Sequence, residues 1–467
     1  MSGRYWVETL GCPKNQVDSD KLVGTLMADG LSAAASADAA DVVVVNTCAF
    51  IEAARRESID TVLALSDARK PGARLVVTGC MAERYGAELA DALPEADLVA
   101  GFGVPIALGR KPVAGASGGD GHVPRLDLLN LARPPASAPW AYVKVAEGCD
   151  RKCGFCAIPS FRGPQRSRSL ESVLAEVESL VGASDPGERG VREIVLVAQD
   201  LASYGRDRAE LGAGSIVALV QAVAALVPRV RLLYLYPSDL SDALVSVIES
   251  SPVPYFDLSL QHVSKPLLRR MRRWGDGERF LARIDGIRER VPDAAFRSNF
   301  IVGYPGETEA DHDRLLAFVE AAQLDWCGFF SFSKEDGTYA AGLGEQVPSG
   351  LVAERLSELG ALQDGITTQR RAALIGSRAS VLVDEVGVGR SHREAPEIDG
   401  VIELAPELAV GSFVDVEITG AQGPDLQAVA VGAQEAGRAQ EAGAAQGTGA
   451  RRWAGAASLS ALAPAAG

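Results

Sequence analysis

Six of the seven cysteines fall into two sets of three, and three thiolates are an unusual number for a metal site. Cys149, Cys153 and Cys156 lie close together in CDRKCGFC, a CxxxCxxC pattern, whereas Cys12, Cys48 and Cys80 are 36 and 32 residues apart. Three cysteines can hold an iron–sulfur cubane and leave its fourth iron open to another ligand. A structural zinc site instead closes a tetrahedron with four protein ligands. His122 and His262 are the histidines nearest the compact set in sequence, and neither has ligand-pair spacing, so the cluster is preferred over half of a zinc site. The scattered set has a plainer alternative, because isolated cysteines are often small buried hydrophobes. Each of its members, however, directly follows a strand-like run: WVETLGC, VVVVNTC and LVVTGC. The seventh, Cys327 in WCGFF, reads as core packing.

Scattered cysteines can act together only if the fold converges them. Residues 6–10, 42–46 and 75–79 read as buried strands, with helical stretches at 18–29 and 51–68 between them. Strands alternating with helices predict a parallel sheet covered by helices, an α/β unit. Ligands of such sheets sit beyond the carboxyl ends of the strands, which brings Cys12, Cys48 and Cys80 to one edge. A Gly/Pro-rich stretch containing GASGGDGHVP and ARPPASAP reads as linker. Beyond it, strands are predicted at 141–146, 193–198, 231–236, 255–260, 296–302 and 326–332, each followed by a polar or Gly/Pro motif. Functional groups at successive strand ends suit a barrel-type site, and six repeats suit a partial barrel. Alternating runs with intervening glycines over 380–432 fit a small antiparallel β-barrel. The last stretch, AQEAGRAQEAGAAQGTGA onward, has too few large apolar residues for a core and reads as a disordered tail; Trp453 within it has no explanation. The expected division is 1–115, a linker at 116–138, 139–374, 375–432 and a tail at 433–467.

At 47% apolar content the 467 residues are enough for two to four globular domains. No run of eighteen apolar residues is present and the first residues lack a secretory pattern, so a cytoplasmic protein without membrane contact is expected. Reduced thiols in that compartment favour metal ligation over disulfides. A net charge of −15 disfavours chain-wide attraction to nucleic acid and suits a basic protein partner.

The motif CDRKCGFC, at the start of the barrel and with Phe155 before its third cysteine, resembles that of the radical S-adenosylmethionine superfamily. The resemblance implies a 4Fe–4S cluster whose open iron binds S-adenosylmethionine, which is then cleaved reductively to a 5′-deoxyadenosyl radical. The stretches TLGCPKNQVDSD, NTCAFIEAARRESID and VTGCMAERY resemble the amino-terminal domain of the methylthiotransferase family, which implies an auxiliary 4Fe–4S cluster on Cys12, Cys48 and Cys80. Its open iron would support the sulfur that is methylated and transferred. The likeness extends over about residues 4–432, with a TRAM-type barrel last.

Two branches of that family differ in substrate. One (MiaB-like) modifies an adenosine of transfer RNA; the other (RimO-like) modifies an aspartate β-carbon of the twelfth small-subunit ribosomal protein. AEGCDRKCGFCAIPSFRGPQRSRS, SLQHVSKPLLRRMRRWG, SNFIVGYPGETE and SKEDGT resemble the RimO-like branch, as does CPKNQVDSD, with Asp20 where Glu is usual. Charge points the same way independently: 380–432 holds ten acidic residues against Arg390 and Arg393. Such a barrel would repel a phosphate backbone and attract a basic ribosomal protein, with a merely solvated acidic face as the alternative. Arg151, Lys152, Arg162, Arg166 and Arg168 cluster near the compact cysteines, and Lys265, Arg269, Arg270, Arg272 and Arg273 follow one helix. The second set reads as a solvated surface, and contact of either set with ribosomal RNA stays open.

Arg162 is the candidate clamp for the substrate carboxylate, through a bidentate pair. Gln199, Gln261 and Arg297 at strand positions are candidate cosubstrate contacts. The resemblance adds Phe155 and the turn containing Gly303. Thr308 and Asp311 read as a helix-capping pair. A low-potential electron donor and a monomer are expected. A non-catalytic two-cluster electron carrier is the alternative of a different class, disfavoured because it predicts fully ligated clusters.

Overall fold

The computed structural model describes residues 3–102, 104, 106, 127–182, 190–210 and 215–431. Residues 116–126 of the predicted linker and all of the predicted tail, with Trp453, lie outside them. The first unit is a five-stranded parallel sheet in the order β2-β1-β3-β4-β5. Its strands are β1 (Arg4–Thr9), β2 (Ser32–Ala33), β3 (Val42–Thr47), β4 (Arg74–Gly79) and β5 (Leu98–Val99), and α1 (Pro13–Ala28), α2 (Glu52–Ala68) and α3 (Cys80–Ala92) connect them. β3 reads VVVVNT and is buried throughout, as a strand covered on both faces must be.

The second unit starts with β6 (Trp140–Lys144), a two-residue β7 (Ala146–Glu147), α4 (Ile158–Arg162) and a two-residue β8 (Arg166–Ser167). There follow α5 (Leu170–Gly182), β9 (Glu193–Val197), α6 (Ser215–Ala224), β10 (Arg229–Leu232), α7 (Asp242–Glu249) and β11 (Tyr255–Gln261). α8 (Lys265–Arg270), α9 (Gly277–Arg290), β12 (Ala295–Val302), α10 (Glu309–Ala322) and β13 (Trp326–Ser331) complete it. The sheets β6-β9-β10 and β11-β12-β13 are both parallel and are joined by a bridge from Leu235 to Leu258, giving six strands in an open arc. β10 lies two residues earlier than predicted, because Tyr234 takes φ +65° and the chain leaves the sheet there. Thr308 and Asp311 do form a capping box, with Asp311 Oδ2 accepting from the Thr308 backbone N–H at 3.0 Å.

The arc is filled from inside. Tyr142, Val195, Val197, Leu233, Tyr255, Ala295 and Trp326 pack there with Val17 of α1 and Ala395 of the last unit. α11 (Ser349–Ala372) leads to that unit, a closed barrel of β14 (Arg378–Glu385), β15 (Val388–Arg390), β16 (Ile402–Glu403), β17 (Phe413–Gln422) and β18 (Asp425–Ala430). Its segment 390–399 closes the amino-terminal end of the arc. Glu193 at the start of β9, fully buried, bonds Arg231 at 2.7 Å and Arg390 at 3.3 Å. Arg229 joins them by donating to the backbone of Arg390 at 3.0 Å.

Candidate active site

Adjacent strands β1, β3 and β4 each deliver one cysteine from their carboxyl ends. Cys12 caps α1, Cys48 follows β3 directly, and Cys80 is the first residue of α3. Two glycines allow the approach: Gly11 (φ +94°) and Gly79 (φ +92°) hold left-handed conformations in the turns before Cys12 and Cys80. A Cβ on Gly11 would lie 2.9 Å from Cys48 Sγ, and one on Gly79 would strike Asn46 and Thr47. The turn leading to Cys12 is thus pressed against Cys48. Burial, then the neighbouring thiols of Cys12 and Cys80, push the Cys48 thiol up to about 12. Burial raises Cys12 as well, but Lys14, the Asn15 N–H and Arg162 outweigh it and leave that thiol lowered.

The second triad sits in the loop between β7 and α4, at the carboxyl end of β6. Its loop is pinned from two sides: Gly154 N–H donates to Met271 O and Gly154 O accepts from the Ala340 N–H, each at 2.8 Å. Burial pushes Cys149 up to about 11 and Cys156 up to about 12. Arg273 donates to Cys153 Sγ at 3.3 Å and stacks on Tyr236.

Both donor sets fit cubane clusters. Each offers three free thiols, and the first triad lies in a cradle that a Cβ on Gly11 would fill, beside Cys48. A cubane carries each thiolate on a different iron and tolerates wider spacing.

Arg162, at the end of α4 and 9% exposed, joins the two units. Its Nη2 donates to Cys80 Sγ at 3.0 Å and to Asn15 Oδ1 at 2.7 Å. Its Nη1 donates to Asp18 at 2.9 Å and to both Glu147 oxygens at 3.0 and 3.1 Å. Glu147, two residues before Cys149, is held down to about 2; its burial is outweighed by Arg162 and Lys144. The carboxylates on Arg162 are the protein's own, Asp18 and Glu147.

The other predicted contacts diverge. Gln199 Nε2 donates to Glu147 Oε1 at 2.7 Å, placing it in the same network. Gln261, at φ +69°, ends β11 half-buried. Phe155 is half-buried against the main core. The Gly303 N–H donates to Glu307 at 2.5 Å, and the neighbouring Tyr304 hydroxyl would lie 3.0 Å from a Cβ on Gly154, so this turn does border the cysteine loop. Arg297 does not reach the mouth: it lies inside the arc, 3.2 Å from Asp399 and 3.7 Å from Asp257. Cys327 packs half-buried against the core, as expected. Sequence reasoning missed Asp18, Glu147 and Arg273; Asp18 was visible inside CPKNQVDSD, but its partner is 144 residues away.

A parallel sheet presenting one thiol triad, set over a six-stranded arc presenting CxxxCxxC, defines a radical S-adenosylmethionine enzyme of the methylthiotransferase class. Comparisons agree over most of the chain. Residues 4–101 match the model for "Uncharacterized protein family UPF0004", 143–319 that for the radical SAM superfamily, and 375–431 that for the TRAM domain. A protein of Kineococcus radiotolerans is 44% identical over 90% of this chain and 96% of its own length. One of Saccharopolyspora erythraea is 42% identical over 93% and 96%. Both are described as ribosomal protein uS12 methylthiotransferase RimO. A solved structure of the methyltransferase TsrM from Kitasatospora setae has a TM-score of 0.45 at 14% identity, covering 78% of this chain and 89% of that one. The chain belongs to the RimO family of methylthiotransferases. Its cofactors are S-adenosylmethionine and 4Fe–4S clusters.

Proposed function

We propose that this enzyme places a methylthio group on the β-carbon of an aspartate of ribosomal protein uS12. Cys149, Cys153 and Cys156 would hold the cluster that binds S-adenosylmethionine, and Cys12, Cys48 and Cys80 the auxiliary one. When bound, the two clusters and S-adenosylmethionine supply the radical that activates the substrate carbon and the methylated sulfur that is delivered to it. The observation that carries the reading is the hydrogen-bonded path from Cys80 through Arg162 to Glu147, two residues before Cys149, which crosses the boundary between the two cysteine-bearing units. The chain's own residues fix that separation: Asp18 accepts from both Lys144 and Arg162, and α1 packs into the arc through Val17. The turn at Gly303 and Phe155 would line the cosubstrate pocket, with Gln199 and Gln261 at its edge.

The protein substrate is favoured over transfer RNA by how the last barrel uses its cations. Arg390 is bonded to Asp384 and Glu193, and Arg393 to Asp293. Over 380–431 that leaves Glu385, Glu397, Glu403, Glu407 and Asp415 exposed with no exposed lysine or arginine among them, although Arg378 is exposed just before. A low-potential electron donor supplies the reducing equivalents, and the enzyme acts as a monomer.

Anaerobically reconstituted enzyme, given S-adenosylmethionine and a reductant, should add a methylthio increment to uS12 at one aspartate. Cys153→Ala should abolish reductive cleavage of S-adenosylmethionine, whereas Cys80→Ala should keep cleavage and lose thiolation. An increment on transfer RNA alone would sink the proposal.

A further inference from the structure

Each triad receives one guanidinium hydrogen bond at a cysteine sulfur: Arg162 at Cys80, 3.0 Å, and Arg273 at Cys153, 3.3 Å. The two arginines differ in setting. Arg273 also donates to the Ser259 carbonyl and is half-buried at the cysteine loop. Arg162 is buried and held by Asp18, Glu147 and Asn15, so its position relative to Cys80 is fixed from both units. Its plane also faces the Phe102 ring at 4.2 Å, which excludes water from one side.

Hydrogen bonds and positive charge at cluster thiolates stabilise the reduced, more negative state and raise the potential. Desolvation strengthens that influence, because the local dielectric is low. Two carboxylates partly offset the charge, but neither is hydrogen-bonded to the cysteine; the guanidinium is.

We propose that Arg162 is a positioning residue that tunes the auxiliary cluster, raising its reduction potential through the positive charge that the Nη2–Cys80 hydrogen bond holds against the thiolate. This rests on the assignment of Cys12, Cys48 and Cys80 as that cluster's ligands.

The test is a redox titration followed by electron paramagnetic resonance, in full-length protein carrying Cys149→Ala, Cys153→Ala and Cys156→Ala. Four irons per chain in this background first establish that the auxiliary site loads; their absence would fail the ligand assignment itself. Arg162→Gln removes the charge, and its midpoint should move negative by about 59 mV, a tenfold change in the reduced-to-oxidised ratio for one electron. Arg162→Lys keeps the charge without the planar fork and should move the midpoint negative by about half as much, a threefold change. Lysine is the milder replacement and decides alone if the glutamine variant does not load iron. An unchanged midpoint in an iron-replete variant overturns the proposal. So does a lysine variant shifted as far as the glutamine one, since that marks disturbed packing and not charge.

Discussion

His262 lies in the motif after β11, fully buried, with its Nδ1 accepting from the Ser264 N–H at 3.0 Å. That bond requires an unprotonated Nδ1, and burial pushes the imidazole down to about 4. The sign follows from linkage. The unfolded chain takes up a proton near pH 6.5 that the folded chain refuses until about pH 4, so the contribution is intact above 6.5 and declines below it. Stability of the parent relative to His262→Asn should fall by about 1.4 kcal/mol per pH unit across that window and stay level above it. Urea unfolding at several pH values measures this, and parallel profiles for the two proteins would refute it. The same residue illustrates a limit of sequence reading. Spacing excluded His262 as a zinc ligand, but nothing in QHV announced a neutral histidine serving a helix start.

Elements were legible where burial imposes a pattern. β3 is an apolar run because both faces are covered, and the strand-end rule alone collected cysteines 36 and 32 residues apart. β10 is displaced because RLLYLY is apolar after its first residue, and apolarity does not say where a chain turns away at Tyr234. Contacts between elements were not legible at all. The SKEDGT motif follows β13, and its Glu335, 2% exposed, accepts from Arg55 of α2 and Arg84 of α3, each at 2.5 Å. Ser333 adds a bond to the Glu52 N–H at 3.0 Å. This clasp fastens the auxiliary-cluster unit to the radical unit. Removing one partner of a buried pair costs about 3–5 kcal/mol, because the remaining charge is stranded. Glu335→Ala should therefore loosen the domain contact while sparing chemistry within the radical unit. Reductive cleavage of S-adenosylmethionine should persist while methylthiolation falls at least tenfold, as read by mass spectrometry of both products. Parallel loss of the two activities, or loss of neither, would remove Glu335 from this role.

Across the whole molecule, charge is sorted by depth. Inside, arginines bind the last barrel to the arc: Arg231 and Arg390 on Glu193, and Arg371 on Glu394, with both carboxyls held down to about 2 by those partners against the cost of burial. The barrel thereby withdraws its central cations from solvent and turns Glu385, Glu403, Glu407 and Asp415 outward. Like-signed exposed charge on a domain fixed rigidly to the arc steers an oppositely charged partner before contact, and raises the encounter rate more than the final affinity. Replacing these four residues with lysine should lower the rate of uS12 methylthiolation about tenfold at low salt, through kcat/KM with kcat retained. The difference should shrink as ionic strength shortens the Debye length to about 8 Å and below. Cleavage of S-adenosylmethionine without the protein substrate should be unaffected, because no exchanged side chain borders either triad. A salt-independent defect would mean that the barrel acts through a docked contact of fixed geometry, and an unchanged rate would mean that its acidic face is only solvated.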